Sequence, residues 1–252
     1  MDTDPPLVWT ESLAVRTDDL TPAGVVSLPA LCGYLQEAAG PHAAALGVSM
    51  DALAAEGRAW VLARMRLTTE RRPRRGETVT IETWPSGLDG LYTTREFILR
   101  VEKDVVARAT SAWFLIDLER RRPARPPRAV RALDFPDRAP ALAPSSDDLS
   151  PPERIDHERT LTVCYHDLDR NEHVNNVRYL TWALDTLPAS VFAERRCTEG
   201  VLHFRHEASL DDSIRAVVQT ETAGTSLSAR HALLHAEEGR TLAVAHTHWV
   251  PR

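Results

Sequence analysis

Asp169, Asn171 and His173 stand at every second position of the stretch YHDLDRNEHVNNVRYLTW, which runs from Tyr165 to Trp182. In an extended chain alternate side chains share a face, so the spacing predicts that all three point the same way. Helical spacing begins at about Asn175, and Tyr179, Leu180, Ala183, Leu184 and Leu187 then form a broad apolar face. A helix starting there aims unpaired N–H groups and a partial positive charge back at the triplet. A carboxylate, a carboxamide and an imidazole beside such a terminus can promote attack on an acyl carbonyl and stabilise the oxyanion that follows. The competing reading is a polar turn that merely caps the helix.

Glu207, in the stretch HFRHE, is a second candidate. Alternation places His203, Arg205 and Glu207 on one strand face, which is either solvated or turned to a site. The pairs His231/His235 and His246/His248 lack Cys or acidic neighbours at metal spacing and read as strand-face residues.

The elements that position these groups follow one order, written twice. In the first half an extended run, Leu13–Thr17, precedes a helical segment from Leu28 toward Gly47, with a further short helix in GVSMDALAAEG. Strand-like runs follow near Arg58–Thr69, Glu77–Trp84, Leu91–Val101 and Val105–Asp117. In the second half an extended run, Leu161–Tyr165, precedes a helix from about Asn176 to Thr186. Strand-like runs then lie near Glu199–Ala208, Ser213–Thr222, Ser226–Ala236 and Thr241–Val250. An offset of 161 − 13 = 148 pairs Asp19 with Asp167 and the N-cap residues Ser27 and Asn175. An offset of 201 − 61 = 140 pairs Val61-Leu62 with Val201-Leu202 and sets Glu207 against Leu67. At the places matching the triplet stand Thr21, Ala23 and Val25, so the fold does not require polar residues there.

Each half therefore reads as β-α-β-β-β-β, a sheet around one long helix. The fold class expected is α+β, a tandem (double) hotdog. The expected domains are 1–119, a Pro/Arg-rich linker 120–157, and 158–252 carrying the reactive stretch.

The bulk composition narrows the class. Thirty basic against 36 acidic residues give a net charge of −6, which predicts no general attraction to nucleic acid. Lys103 is the only lysine, and its surroundings, VEKDV, exclude a phosphate loop of the GxxxxGK[ST] kind. Three cysteines (Cys32, Cys164, Cys197) form no CxxC pair and predict a reducing compartment. The acidic start, MDTDPPLVWTES, does not read as a secretory or transit segment, and no apolar run approaches a membrane span. A cytoplasmic protein is expected.

The run Asp167-Leu168-Asp169-Arg170-Asn171-Glu172-His173-Val174-Asn175-Asn176-Val177-Arg178-Tyr179 is similar to DLDxNxHVNNxxY, the signature of the acyl-acyl carrier protein thioesterases of plants and bacteria. The resemblance continues at LQEAA (Leu35 to Ala39), WVLARM (Trp60 to Met65), GETVTIETW (Gly76 to Trp84) and SAWFLID (Ser111 to Asp117). It implies hydrolysis of acyl-acyl carrier protein to free fatty acid, with Asp169, Asn171, His173 and Glu207 as the catalytic set and no cofactor or metal. Plant members often carry cysteine after the glutamate. Here Ala208 stands there, so the carboxylates must carry the chemistry.

Two routes stay open: Glu207 with His173 activating water, or direct attack by Asp169. Leu35, Trp60, Trp84 and Asn175 are candidate substrate-binding residues, and ordinary core is the competing reading of the apolar ones. An acidic carrier protein would dock on arginines, for which 71–75, 120–128 and 195–196 are candidates. The chain is expected as a monomer or homodimer. The rival functions are an acyl-coenzyme A thioesterase, a non-catalytic acyl-binding double hotdog and, lower, a hotdog dehydratase.

Overall fold

The computed structural model describes residues 5–143 and 149–252. Residues 1–4 of the acidic start and 144–148 of the Pro/Arg-rich segment lie outside the described residues. Of those described, 5–65 with 70–143 form one compact unit, and 66–69 with 149–252 form a second.

The first unit begins with β1 (Trp9–Ala14), α1 (Leu28–Ala45) and α2 (Met50–Ala54). It continues with β2 (Arg58–Thr69), β3 (Thr78–Asp89), β4 (Tyr92–Val101) and β5 (Asp104–Asp117). The strands lie in the order β1-β3-β4-β5-β2. The helix α1 starts where Ser27 accepts the Ala30 N–H (3.1 Å) and Pro29 occupies the first turn, both favourable there. Leu28, Leu31, Cys32, Tyr34, Leu35 and Ala38 are buried on it, and it packs on β1 and β3. Alternation presents Val79, Ile81, Thr83, Phe97 and Leu99 to the helix side, all buried. Truncating one of these large side chains to alanine costs about 2–5 kcal/mol.

The segment read as a linker is structured: it contributes β6 (Arg122–Ala124), which pairs with β5, and α3 (Arg128–Arg131), whose Val130 packs with Leu53 and Leu115. Elements of three and four residues are too short to leave a periodic signal in sequence. Farther on, Arg138 pairs with Glu82 (2.6 Å) and lies 3.9 Å over the Trp84 ring. The Ala141 N–H reaches Glu96 (3.0 Å), a buried carboxylate that also accepts from Ser86 and Thr110.

The second unit repeats the plan with β7 (His157–Thr162), α4 (Asn176–Asp185), α5 (Ala189–Glu194), β8 (Arg195–Phe204), β9 (Ser213–Ala223), β10 (Ser226–His235) and β11 (Thr241–Pro251). Its strand order, β7-β9-β10-β11-β8, is that of the first unit position for position. The helix α4 packs on β9, β10 and β11. The chain is a tandem hotdog, as expected from the sequence.

Two details differ from expectation. The strand β8 ends at Phe204, because the Arg205 and His206 N–H groups both turn to the Leu242 carbonyl (2.8 and 3.1 Å). Glu207 therefore sits beyond the strand, not on its face. The repeat register also shifts after this strand. Val26 N–H bonds to Pro73 O in the first unit (2.8 Å), as Val174 N–H bonds to Ala208 O in the second (3.1 Å). Val15 to Glu77 (3.0 Å) and Val163 to Asp212 (2.9 Å) give the same offset, 208 − 73 = 212 − 77 = 135. The counterpart of Glu207 is Arg72, not Leu67. The longer β2, 12 residues against 10 in β8, hides this shift from a fixed offset.

Candidate active site

The polar triplet is not on an extended strand. A bridge between Leu168 and Val174 closes a tight turn, in which Asp169 N–H bonds to His173 O (2.8 Å) and Glu172 N–H to Asp169 O (3.1 Å). Asp169 Oδ1 accepts the Asn171 N–H (2.7 Å), a local side-chain turn of the kind aspartate favours. Glu172 takes φ 63°, a conformation in which a side chain is strained. The first unit builds the same turn from other residues. Leu20 bridges Val26, Thr21 N–H meets Val25 O (2.8 Å), and Gly24, matching Glu172, has φ 71°. The backbone is common to both units, and the run of polar side chains belongs to one.

His173 and Glu207 come together, with Nε2 and Oε2 3.4 Å apart and both side chains a little under half exposed (43% and 44%). A carboxylate oxygen only accepts, so a hydrogen bond across this contact has Nε2–H as its donor. Asp169 lies partly buried in the same turn and Asn171 is exposed on it. Neither side chain has a hydrogen bond to His173 or Glu207 among the described residues.

Glu207 is held by its neighbour. The Ala208 N–H donates to the Tyr179 hydroxyl (3.0 Å) while its carbonyl accepts the Val174 N–H, so this residue is pinned between α4 and the His173 turn. Burial pushes the Tyr179 hydroxyl up to about 12, so it stays protonated. In the first unit Pro73 has no N–H, and Leu31, at Tyr179's place, has no acceptor. Tyr179 positions the segment that carries Glu207, and sequence reasoning left it among the apolar face of the helix. Its signal was the pairing of Tyr with a non-proline, against Leu with Pro.

The helix end is partly used. The Asn175 side chain accepts the Val177 N–H (2.9 Å), and its own N–H goes to Asp167 O (2.9 Å). Asp167 in turn caps the preceding turn through Cys164 N–H (2.8 Å) and pairs with Arg178 (3.1 Å). Asn175 thus acts on the backbone as an N-cap. That narrows what the terminus offers an oxyanion.

The remaining candidates lie in the first unit. Leu35 is buried on α1. Trp60 donates to Val48 O (2.9 Å) and packs with Val48, Leu53, Leu115 and Val130. Trp84 is fully buried on the sheet face away from α1, under Arg138.

Two family models match in order along the chain: the acyl-ACP thioesterase N-terminal domain over residues 6–133 and the acyl-ACP thioesterase C-terminal domain over 151–251. A dodecanoyl-[acyl-carrier-protein] hydrolase of Cinnamomum camphora is 28% identical over 98% of this chain and 68% of its own length. A palmitoyl-acyl carrier protein thioesterase of Gossypium hirsutum is 26% identical over 98% of this chain and 64% of its own length. The solved 12:0-ACP thioesterase from Umbellularia californica superposes with a TM-score of 0.85 at 27% identity, covering 98% of this chain and 95% of that one. An acyl-ACP thioesterase from Bacteroides thetaiotaomicron shares the fold, with a TM-score of 0.82 at 22% identity over 96% and 97% of the two chains.

Proposed function

We propose, for a chain that belongs to the acyl-acyl carrier protein thioesterase family, that it hydrolyses acyl-acyl carrier protein to a free fatty acid and the carrier protein, ending fatty acid synthesis. The observation that carries this reading is the match of both halves, in order, to the two domains of that family.

In the second unit, Glu207 acts as the base and His173 holds it through Nε2–H. Water gives a proton to Glu207 as its oxygen bonds to the thioester carbon. The tetrahedral intermediate then collapses with loss of the C–S bond, and the departing sulfur takes the proton back. A thiolate leaves readily, so the demand falls on activating water and stabilising the oxyanion. Asp169 and Asn171 border the same turn and orient the water. The hydrogen bond that Asp169 Oδ1 already accepts favours this route over its direct attack. The apolar layer between α1 and its sheet, with Leu35, receives the acyl chain.

An acidic carrier protein docks on exposed arginines, of which Arg122, Arg125, Arg128 and Arg131 cluster around β6 and α3. No helix of the described residues is long and apolar enough to cross a membrane. A cytoplasmic setting belongs to the same proposal, and cell fractionation tests it.

The test of the reaction is turnover of acyl thioesters on carrier protein and on coenzyme A, in wild type and Glu207→Gln. Carrier-linked hydrolysis should dominate and collapse in the variant. Faster turnover of the coenzyme A thioester would instead make this an acyl-CoA thioesterase. Single-turnover labelling decides the route, since solvent oxygen-18 retained in Asp169 would establish the anhydride path.

A further inference from the structure

The loop that carries Glu207 is closed by a second carboxylate. Asp212 Oδ2 accepts the Ser209 N–H (2.8 Å), the Asp212 N–H returns to Ser209 O (3.2 Å), and the Asp212 carbonyl accepts the Val163 N–H (2.9 Å). Its other carboxylate oxygen, Oδ1, stands 3.6 Å from His235 Nε2 at the end of β10. The Glu238 N–H is given to His235 Nδ1 (3.3 Å), so Nδ1 is the lone-pair nitrogen and Nε2–H is left for the carboxylate. His235 is buried, and Ile214, its cross-strand partner, packs in the cluster that holds Val174, Tyr179 and Ala208. One imidazole thus joins the β10–β11 hairpin to the loop that presents Glu207.

The first unit supplies the control. Its loop is closed in the same way, with Glu77 Oε2 on the Arg74 N–H (2.7 Å) and Gly76 at φ 84° where Asp211 has φ 68°. There the closing carboxylate is held from inside the loop, by Arg71 Nη1 (3.0 Å). The offset of 206 − 71 = 135 puts His206 at the place of Arg71, and its Nδ1–H goes instead to the Thr241 carbonyl (2.8 Å). The strands complete the exchange. Val79 pairs with Val101 as Ile214 pairs with His235, and Thr83 pairs with Phe97 as Val218 pairs with His231. Hydrocarbon therefore stands in the first unit at the places of both histidines.

The exchange has a chemical reason. A guanidinium at position 206, one residue from Glu207, would favour the ionised carboxylate and weaken it as a base. No arginine or lysine stands between His206 and Asp212. A histidine on β10 reaches the closing carboxylate from the sheet and keeps a permanent cation out of the loop. Away from bulk water, a polar contact of this kind is stronger than at the surface.

We infer that His235 is a positioning residue of the thioester hydrolysis, which with Asp212 clamps the loop so that Glu207 meets His173. The inference rests on the reading of Glu207 as the base. The His235 ring touches neither thioester nor water and acts through the backbone of Ala208 and Ser209. Its loss is therefore read in kcat and not in KM, because it fixes the reacting groups and leaves binding of the acyl chain alone.

His235→Val, which installs the first-unit residue, and His235→Gln, whose amide keeps an N–H donor, test this on an acyl-acyl carrier protein. The valine variant should lose on the order of tenfold to a hundredfold in kcat with KM within about twofold, as a small misplacement of a reacting group does. Glutamine should recover most of that loss. An unchanged kcat, a loss confined to KM, or an equal loss in both variants would overturn the clamp.

Amide hydrogen exchange gives a readout that needs no turnover. Exchange at Ser209, whose N–H bonds to Asp212, should speed on the order of tenfold in His235→Val and stay near wild type in His235→Gln. Equal protection in all three proteins would also overturn the clamp. Should the valine variant fail to fold, Asp212→Asn takes its place, since it keeps an acceptor for Ser209 and removes the charge that His235 faces. The same loss of kcat is expected there, and an unchanged kcat would overturn the clamp. Failure of the hydrolase reading is distinguishable, because then the wild type cleaves no thioester while exchange at Ser209 still reports on His235.

Discussion

The turn before α1 and the turn before α4 have the same bridge, the same hydrogen bonds and the same positive-φ position. One is made of Thr21, Ala23, Gly24 and Val25, the other of Asp169, Asn171, Glu172 and His173. The comparison teaches that the repeat fixes a backbone frame and that polar side chains able to do chemistry are added to one copy of it. His235 follows the same rule, with Val101 at its place in the first unit. Residues that differ between the copies are thus candidates for function, and residues that agree serve the fold.

The sharpest way to break this comparison is to give the second unit a first-unit residue at position 173, or to neutralise the carboxylate facing it. His173→Val and Glu207→Gln should each lower kcat by about 10²–10⁴, as expected for loss of a general base or its partner. Circular dichroism and Tm should change little, because valine occupies the matching place of an intact turn. A fall in Tm that tracks the loss of activity would assign both groups to stability.

Acid sensitivity comes next in size. His42 and His231 are buried, and desolvation pulls them down to about 4 and about 3. The unfolded chain protonates them first, so the stability they contribute is full above about pH 6.5 and lost as pH falls through 4 and 3. Each is linked to on the order of a few kcal/mol. His231→Phe, which installs the residue at the matching place of the first unit, should flatten the drop in Tm below pH 6.5. Titrated denaturation of both proteins checks it, and identical pH profiles would contradict it.

A smaller effect isolates Tyr179. Tyr179→Phe leaves the Ala208 N–H without its acceptor and should cost about 1–3 kcal/mol, with kcat reduced as Glu207 loosens. Ala208→Pro in that background removes the orphan donor, as Pro73 does in the first unit, and should recover part of the loss. Simple additivity in the double-mutant cycle would refute the coupling.

The smallest is Glu172→Gly, which relieves a positive φ and should stabilise by about 0.5–1 kcal/mol, as measured by denaturant midpoint.

Much of the fold was legible in the sequence because burial writes a period. Strand β2 was read at its observed bounds from Val61, Ala63, Met65 and Leu67, and α1 and α4 from their caps and apolar faces. The site was legible in residue type more than in shape. A polar residue at every second position looks like a strand, and nothing in the identity of Glu172 announces a left-handed backbone. Hydrogen-bond register, not spacing, was needed to see that Glu207 faces His173 and matches Arg72. His235 was read as a strand-face residue for a related reason. Inside RHALLH it alternates like its neighbours, and only its partners show that its ring meets Asp212.

The most direct measurement takes the whole turn across at once. The triple substitution Asp169→Thr, Asn171→Ala, His173→Val should abolish release of free acid from an acyl-acyl carrier protein that the wild type hydrolyses, while Tm stays within a few degrees. Retained turnover in that variant, or a wild type inert toward every carrier-bound thioester offered, would contradict the account.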